Sequence, residues 1–191
     1  MRNWLHIITP CSRPENLGQI MESLNFPCAW YVVCDGDRED PRFMKIREIA
    51  VQSSWISLTF VRGGVAGKKQ INDAIDRIFD GWVYVLDDDN LMHPDFYKVV
   101  SDLTAKNPKV QGLFFSQELR TSIREVSPGT VRVNYIDQAQ FMLKRELIGQ
   151  RRYKQEYTAD GQFIEVLYKD NDPALFEFYN DKPVTYYNKL R

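Results

Sequence analysis

Three consecutive carboxylates, Asp87, Asp88 and Asp89, stand before Asn90 and directly after a short apolar run over residues 82–86. A continuous run of that kind reads as a strand in the middle of a covered sheet. Burying three unpaired charges beside it would cost more than the packing returns, so the aspartates belong at the strand's C-terminal edge. In open parallel sheets that edge is where ligands bind. Like charges this close repel, and a hard divalent cation with oxygen ligands relieves the repulsion while keeping positions open for substrate phosphates. A solvated acidic turn before the next helix is the other reading of the same residues. Asp35 and Asp37 follow a second predicted strand and bring more carboxylate to the same edge, although an Asp-Gly turn also explains Asp37. Thr9-Pro10-Cys11-Ser12-Arg13 leaves the first strand there too. Its amides and Arg13 suit a phosphate or a base at a helix N-terminus, and Ser12 suits a plain helix cap. The stretch Gly63-Gly64-Val65-Ala66-Gly67-Lys68-Lys69 has the composition of a phosphate cradle but not the Walker spacing, which excludes a P-loop ATPase.

The elements that must position these groups alternate between β-rich and amphipathic stretches, the pattern of an α/β fold with a mostly parallel central sheet flanked by helices. Strands are predicted over 4–9, 29–34, 56–61, 82–86 and 110–116, with a last one over 184–187. Helices are predicted over 13–24, 38–52, 68–79, 94–103 and 160–168, where apolar residues recur at helical spacing. Residues 123–133, around Ser127-Pro128-Gly129, read as a small antiparallel hairpin.

Composition bounds the reading. With 191 residues, 43% of them hydrophobic, the chain has the material for one domain with a real core. Its 25 Lys and Arg against 26 Asp and Glu leave a net charge of −1, which argues against a nucleic-acid partner. No apolar stretch approaches the roughly 20 residues that cross a bilayer. Residues 1–10 carry no secretory pattern, so a cytoplasmic location is expected. Cys11, Cys28 and Cys34 match neither a disulfide framework nor a zinc knuckle and read as reduced core thiols.

Taken in order, Ile7-Ile8-Thr9-Pro10 with Ser12-Arg13-Pro14, then Val32-Val33-Cys34-Asp35, then residues 69–74 with Asn72, then Val83-Tyr84-Val85-Leu86-Asp87-Asp88-Asp89-Asn90 resemble a nucleotide-sugar glycosyltransferase of the GT-A (Rossmann-like) fold. The Asp-Asp-Asp-Asn step and residues 137–147 are similar to the inverting glucuronyltransferase-like family, and the short length is similar to family 2 enzymes. The resemblance covers most of the chain, strongest through Asp95 and weakest after Leu147. It implies one domain over residues 1–191, with a nucleotide-binding half over 1–104 and a donor-sugar and acceptor half over 105–191, and further domains belonging to a longer protein.

The resemblance also implies roles. Thr9, Pro10 and Arg13 would wall the base pocket, and Asp35 would contact nucleobase or ribose. Asp87 and Asp88 would touch ribose and sugar, with Asp89, and Asp87 beside it, holding Mn2+ or Mg2+. Lys68 or Lys69 and Asn72 would reach the diphosphate or sugar, and residues 137–141 the donor sugar. The donor implied is a UDP-sugar, and the acceptor a glycan, glycolipid or glycoprotein hydroxyl. Asp160 is the choice for the base that takes the hydroxyl proton in an inverting transfer, with Glu156 and Glu165 in reserve; stabilisation of a helix dipole explains Asp160 as well. His93 is a further metal candidate, although a turn before Pro94 accounts for it. Tyr179, Tyr186 and Tyr187 with Phe176 and Phe178 suit either stacking on an acceptor sugar or packing of the last strand. The rivals are a sugar-nucleotide pyrophosphorylase, disfavoured by the lack of glycine in the first loop, a carboxylate-cluster nuclease, disfavoured by the neutral charge, and a non-catalytic nucleotide-sugar-binding domain.

Overall fold

Alternate residues of the central strands face opposite sides of one sheet, and in the computed structural model, which describes residues 4–191, helices cover both sides. The elements in chain order are β1 (Leu5–Cys11), α1 (Leu17–Ser23), β2 (Ala29–Cys34), α2 (Met44–Gln52), β3 (Ile56–Phe60), α3 (Lys68–Arg77), β4 (Trp82–Val85), β5 (Leu91–Met92), α4 (Phe96–Lys106), β6 (Gly112–Phe115), β7 (Gln117–Glu118), β8 (Ile123–Arg124), β9 (Phe141–Lys144), α5 (Arg145–Ile148), α6 (Ala159–Lys169), β10 (Phe176–Tyr179) and β11 (Thr185–Tyr186). Seven strands form the main sheet in the order β10-β6-β9-β4-β1-β2-β3, and β9 alone runs antiparallel to its neighbours there. A second, four-stranded sheet is ordered β5-β11-β7-β8.

One face of the main sheet packs Leu5, Ile7, Trp30, Tyr84 and Leu113 against α1, α2 and α4, through Ile20, Ile46 and Phe96. The other packs Ile8, Val33, Val85 and Phe114 against α3, α5 and α6, through Ile71, Ile75, Leu147 and Ile164. Ile71, Ala74 and Ile75 recur at helical spacing, which is why α3 buries that stripe. All three cysteines are buried thiols, and Cys11 pairs in register with Cys34. Among the described residues no helix is long and apolar enough to cross a membrane. The residues at the very start, Met1, Arg2 and Asn3, which entered the reading of a missing secretory pattern, lie outside the described residues.

Three expectations change; in the first, the helix predicted over 38–52 begins with a 3-10 turn, Pro41–Phe43, ahead of α2. The helix predicted over 13–24 is a 3-10 turn, Pro14–Asn16, followed by α1. The amides of Ser12 and Arg13, which would open a longer helix, are instead donated to Asp88. The hairpin predicted over 123–133 is shifted: its arms are β7 and β8, and Pro128–Thr130 is a 3-10 turn closed by its own capping box. Pro128 has no amide to offer a ladder.

Candidate active site

Parallel pairing of β1 with β2 and with β4 brings three strand ends to one edge: Asp35 N–H donates to Cys11 O (2.8 Å) and Leu86 N–H to Ile8 O (2.9 Å). The segment after β1 and the carboxylates after β4 therefore meet. Asp88, 2% exposed, holds them together. Its Oδ2 accepts from Ser12 N–H (2.6 Å), Ser12 Oγ (3.0 Å) and Arg13 N–H (2.8 Å), and its Oδ1 from Arg13 Nε (2.9 Å) and Nη2 (2.5 Å). Asn16 Nδ2 adds a bond to Asp88 O (2.8 Å). Ser12 accordingly caps no helix, and the carboxylate predicted to touch ribose or sugar spends its lone pairs on the protein.

Asp89 is paired on Oδ2 with Arg13 Nη2 (3.0 Å) and with Arg191 Nε (2.6 Å), and its carbonyl accepts from Leu190 N–H (3.0 Å). The chain thus returns at its described end to the acidic edge. Asp87 differs from both neighbours: among the described residues its carboxylate has neither a hydrogen-bond nor an ion-pair partner. Burial, followed by the nearby charge of Asp137, pushes its pKa up to about 7, against the pull of Lys68.

These residues line a cleft of about 310 Å3 together with Pro10, Arg13, Asp35, Lys68, Asp137 and Asp160. Asp35 is exposed and accepts from Gly63 N–H (2.7 Å). Lys68 opens α3 and is only 4% exposed; its Nζ lies 4.0 Å from Asp160 Oδ2 and 5.5 Å from the centre of the Tyr153 ring. It reaches the cleft because Gly67 takes a left-handed φ of +73° and lets the loop lie against Pro10, 2.6 Å from where a Cβ would sit. Asp137 starts a 3-10 turn, accepting from Ala139 N–H (3.1 Å) and Gln117 Nε2 (3.3 Å), and Arg124 stands 3.7 Å away. Burial raises its pKa. Asp160 sits in the first turn of α6, half-buried.

Other predicted residues lie elsewhere. Thr9 is fully buried and accepts from Trp30 Nε1 (2.9 Å). The Asn72 carboxamide is closed on the Tyr153 backbone, donating to its O (2.8 Å) and accepting from its N–H (2.9 Å). Lys69 Nζ donates to Arg62 O (2.8 Å), and Asp37 pairs with Arg62. His93 accepts from Asp95 N–H (3.1 Å) and packs on Tyr186. Glu165 accepts from Val133 N–H (3.0 Å) and pairs with Lys169, and exposed Glu156 accepts from Gln162 (2.8 Å). None of these lines the cleft. Sequence reasoning missed Gln70, Asn188 and Arg191, which do. Gln70 is buried, donates to Val61 O and Gly63 O, and keeps a buried Oε1 without a partner among the described residues.

The donor set fits a hard divalent cation. Asp87 offers unclaimed carboxylate oxygens amid uncompensated negative charge, and Asp89 lies beside it. Among the described residues no group of three or more His, Cys, Asp or Glu forms a cage of its own, so substrate oxygens would have to complete the shell, the usual habit of Mg2+.

A family profile described as Glycosyltransferase like family 2 matches residues 14–158. A search of curated proteins by sequence gives no match. Among solved structures, S. aureus TarS 1–349 in its complex with UDP-GlcNAc superposes with a TM-score of 0.72 at 16% identity, covering 95% of this chain and 57% of that one. The mannosyltransferase PcManGT from Pyrobaculum calidifontis, in complex with GDP-Man and Mn2+, superposes with a TM-score of 0.65 at 17% identity, covering 96% and 55%. At these identities the likeness is one of fold, and it establishes the GT-A architecture. The chain spans a little over half the length of those two.

Proposed function

Because the chain belongs to the glycosyltransferase like family 2, we propose that it transfers a sugar from a nucleotide-sugar, with UDP as the nucleotide, to an acceptor hydroxyl with inversion. The observation that carries this reading is the meeting of Asp87, Asp89, Arg13, Lys68 and Asp160 in one cleft at the C-terminal edge of β1, β2 and β4. Pro10 and Asp35 border the end of the cleft that suits the base and ribose. Arg13, Lys68 and Arg191 are the cations a diphosphate meets there. Asp88 is a positioning residue: it fixes Arg13 and the amides after β1. Asp87 and Asp89 would hold Mn2+ or Mg2+, and the ion would supply positive charge to offset the charge of a departing diphosphate. Asp160 takes the proton of the acceptor hydroxyl as its oxygen forms the new bond to the anomeric carbon, and the bond from that carbon to the diphosphate oxygen breaks. Lys68 Nζ stands 4.0 Å from the Asp160 carboxylate, between the base and the diphosphate it would meet. One in-line displacement of this kind inverts the anomeric centre. The ligands of the two similar structures, UDP-GlcNAc in one and GDP-Man with Mn2+ in the other, support a nucleotide-sugar and a metal.

Calorimetric titration of UDP, GDP and dTDP, with and without Mn2+, tests the donor site. We expect UDP to bind in a Mn2+-dependent way, and Asp87→Asn to weaken that binding about tenfold or more. Nucleotide binding that is absent, or indifferent to Mn2+, overturns the metal-dependent donor reading.

A further inference from the structure

A groove of about 640 Å3 adjoins the donor cleft. One wall is the β7–β8 hairpin, closed by Leu119 N–H to Ser122 O (2.8 Å), and the other is formed by residues 186–191. The two hollows share Tyr187, Asn188 and Arg191, so a chain lying in the groove ends at the cleft.

The groove reverses the local charge. Arg120, Arg124, Lys189 and Arg191 line it against one carboxylate, Glu118, in a protein whose net charge is −1. The cleft next to it is walled by six aspartates. Two of the four cations are engaged across the boundary, Arg191 with Asp89 (2.6 Å) and Arg124 with Asp137 (3.7 Å). Arg120 and Lys189 have no ion-pair partner among the described residues, and Lys189 Nζ lies 5.4 Å from the centre of the Tyr186 ring. The Arg124 guanidinium stands 5.0 Å over the Tyr187 ring, the ring that both hollows share.

We infer that this groove holds the acceptor and that the acceptor is anionic, a saccharide or polyol chain carrying phosphate or carboxylate groups. The inference rests on the transferase reading of the adjoining cleft. A donor diphosphate among aspartates repels any second anion, so an anionic acceptor needs its charges compensated just outside while a neutral hydroxyl passes in. Arg120 and Lys189, which have no ion-pair partner among the described residues, perform that separation, with Arg124 and Arg191 at the boundary already holding Asp137 and Asp89. Arginine suits both anions, since its planar fork meets phosphate and carboxylate in the same bidentate geometry.

The test is binding of three oligomers of matched length, a glycerol phosphate hexamer, hexagalacturonate and neutral maltohexaose, to wild type and to the Arg120→Gln/Lys189→Gln double variant. UDP titration in Mn2+ runs alongside as the measure of the donor site. At least one anionic oligomer should bind about tenfold tighter than maltohexaose, weaken with salt, and lose most of that advantage in the double variant while UDP affinity stays unchanged. The preferred oligomer identifies the charge as phosphate or carboxylate. Equal binding of maltohexaose, no binding of any oligomer, or undiminished anion binding in the double variant overturns the inference. Binding of an anionic oligomer through Arg120 and Lys189 by a protein that binds no nucleotide upholds the groove's anion specificity and removes the donor reading alone.

Discussion

Strands β1 and β4 lie side by side with Leu5 opposite Trp82 and Ile8 opposite Val85, yet the two ends of this pair are built for different work. At the C-terminal end the chain leaves into Ser12-Arg13 and Asp87-Asp88-Asp89, and charge is gathered, some of it uncompensated. At the N-terminal end it arrives through Asp80-Gly81 beside His6, and groups are fitted tightly with little charge to spare: the Trp4 carbonyl accepts from Trp82 N–H (2.8 Å), and Gly81 takes a φ of +84°. The contrast teaches that one pair of strands can separate function from stability by direction alone. Substitutions at one end should change turnover or binding, and at the other the unfolding midpoint, with Asp88 the deliberate exception.

The largest effect should come from Asp160→Asn, which keeps size and removes the proton acceptor. Turnover should fall about a thousandfold with UDP affinity retained. Loss of the favourable interaction with the N-terminus of α6 should cost under about 1 kcal/mol. A comparison of the initial transfer rate with the urea midpoint checks it, and a variant that keeps its rate makes Asp160 a helix residue and nothing more.

Asp88→Ala should break the contrast from within. It sits at the functional end, but its removal strands two backbone amides and leaves the Arg13 guanidinium with Asp89 as its one remaining carboxylate, so stability should fall by about 3 kcal/mol. Urea denaturation reads this, and Asp87→Asn, which removes no partner, is the control with an unchanged or raised midpoint.

That division between adjacent aspartates was not legible in the sequence. Their gathering at one edge was, because apolar runs that stop at Asp35 and Asp87 fix both the strand and its end. The division depends on Ser12 and Arg13, which are 76 and 75 residues away along the chain, and no local pattern carries that pairing. Arg191 was hidden for the same reason, as it returns to Asp89 only through the fold. Strand β9 escaped because four residues between a 3-10 turn and a helix are too few to show a period. The β7 and β8 arms are two residues each, so turn chemistry at Ser127-Pro128-Gly129 misdirected the hairpin.

At the other end, Gly81→Ala would put a Cβ 2.7 Å from the Trp4 carbonyl oxygen and 3.0 Å from His6 Nε2 at a left-handed φ. The expected cost is about 2 kcal/mol of stability, read as a lower thermal midpoint, with UDP affinity and turnover unchanged. An equal loss of turnover in the folded protein would mean that the two ends are coupled.

The smallest effect sharpens the contrast through pH. His6 is buried beside Tyr31, whose ring lies 5.7 Å away, and burial lowers its pKa from the ordinary 6.5 despite the attraction of Asp80. Arg77, 5.5 Å over the same Tyr31 ring, is the nearby cation. A lowered folded pKa means that the unfolded chain takes up the proton first. The stability from neutral His6 is fully present above 6.5 and is lost as pH falls below it toward the folded value. Asp87 acts in the opposite sense: with a folded pKa near 7, the stability of its neutral form is present at low pH and lost as pH rises through that value. The two therefore oppose each other in wild type, and the raw midpoint says little. The informative quantity is the difference in unfolding free energy between wild type and His6→Gln, measured at about pH 8 and about pH 5, in which Asp87 cancels. Wild type should lose ground relative to His6→Gln as the pH drops, and a difference that is flat across that range would mean that His6 is not held neutral by the packing at this end of the strands.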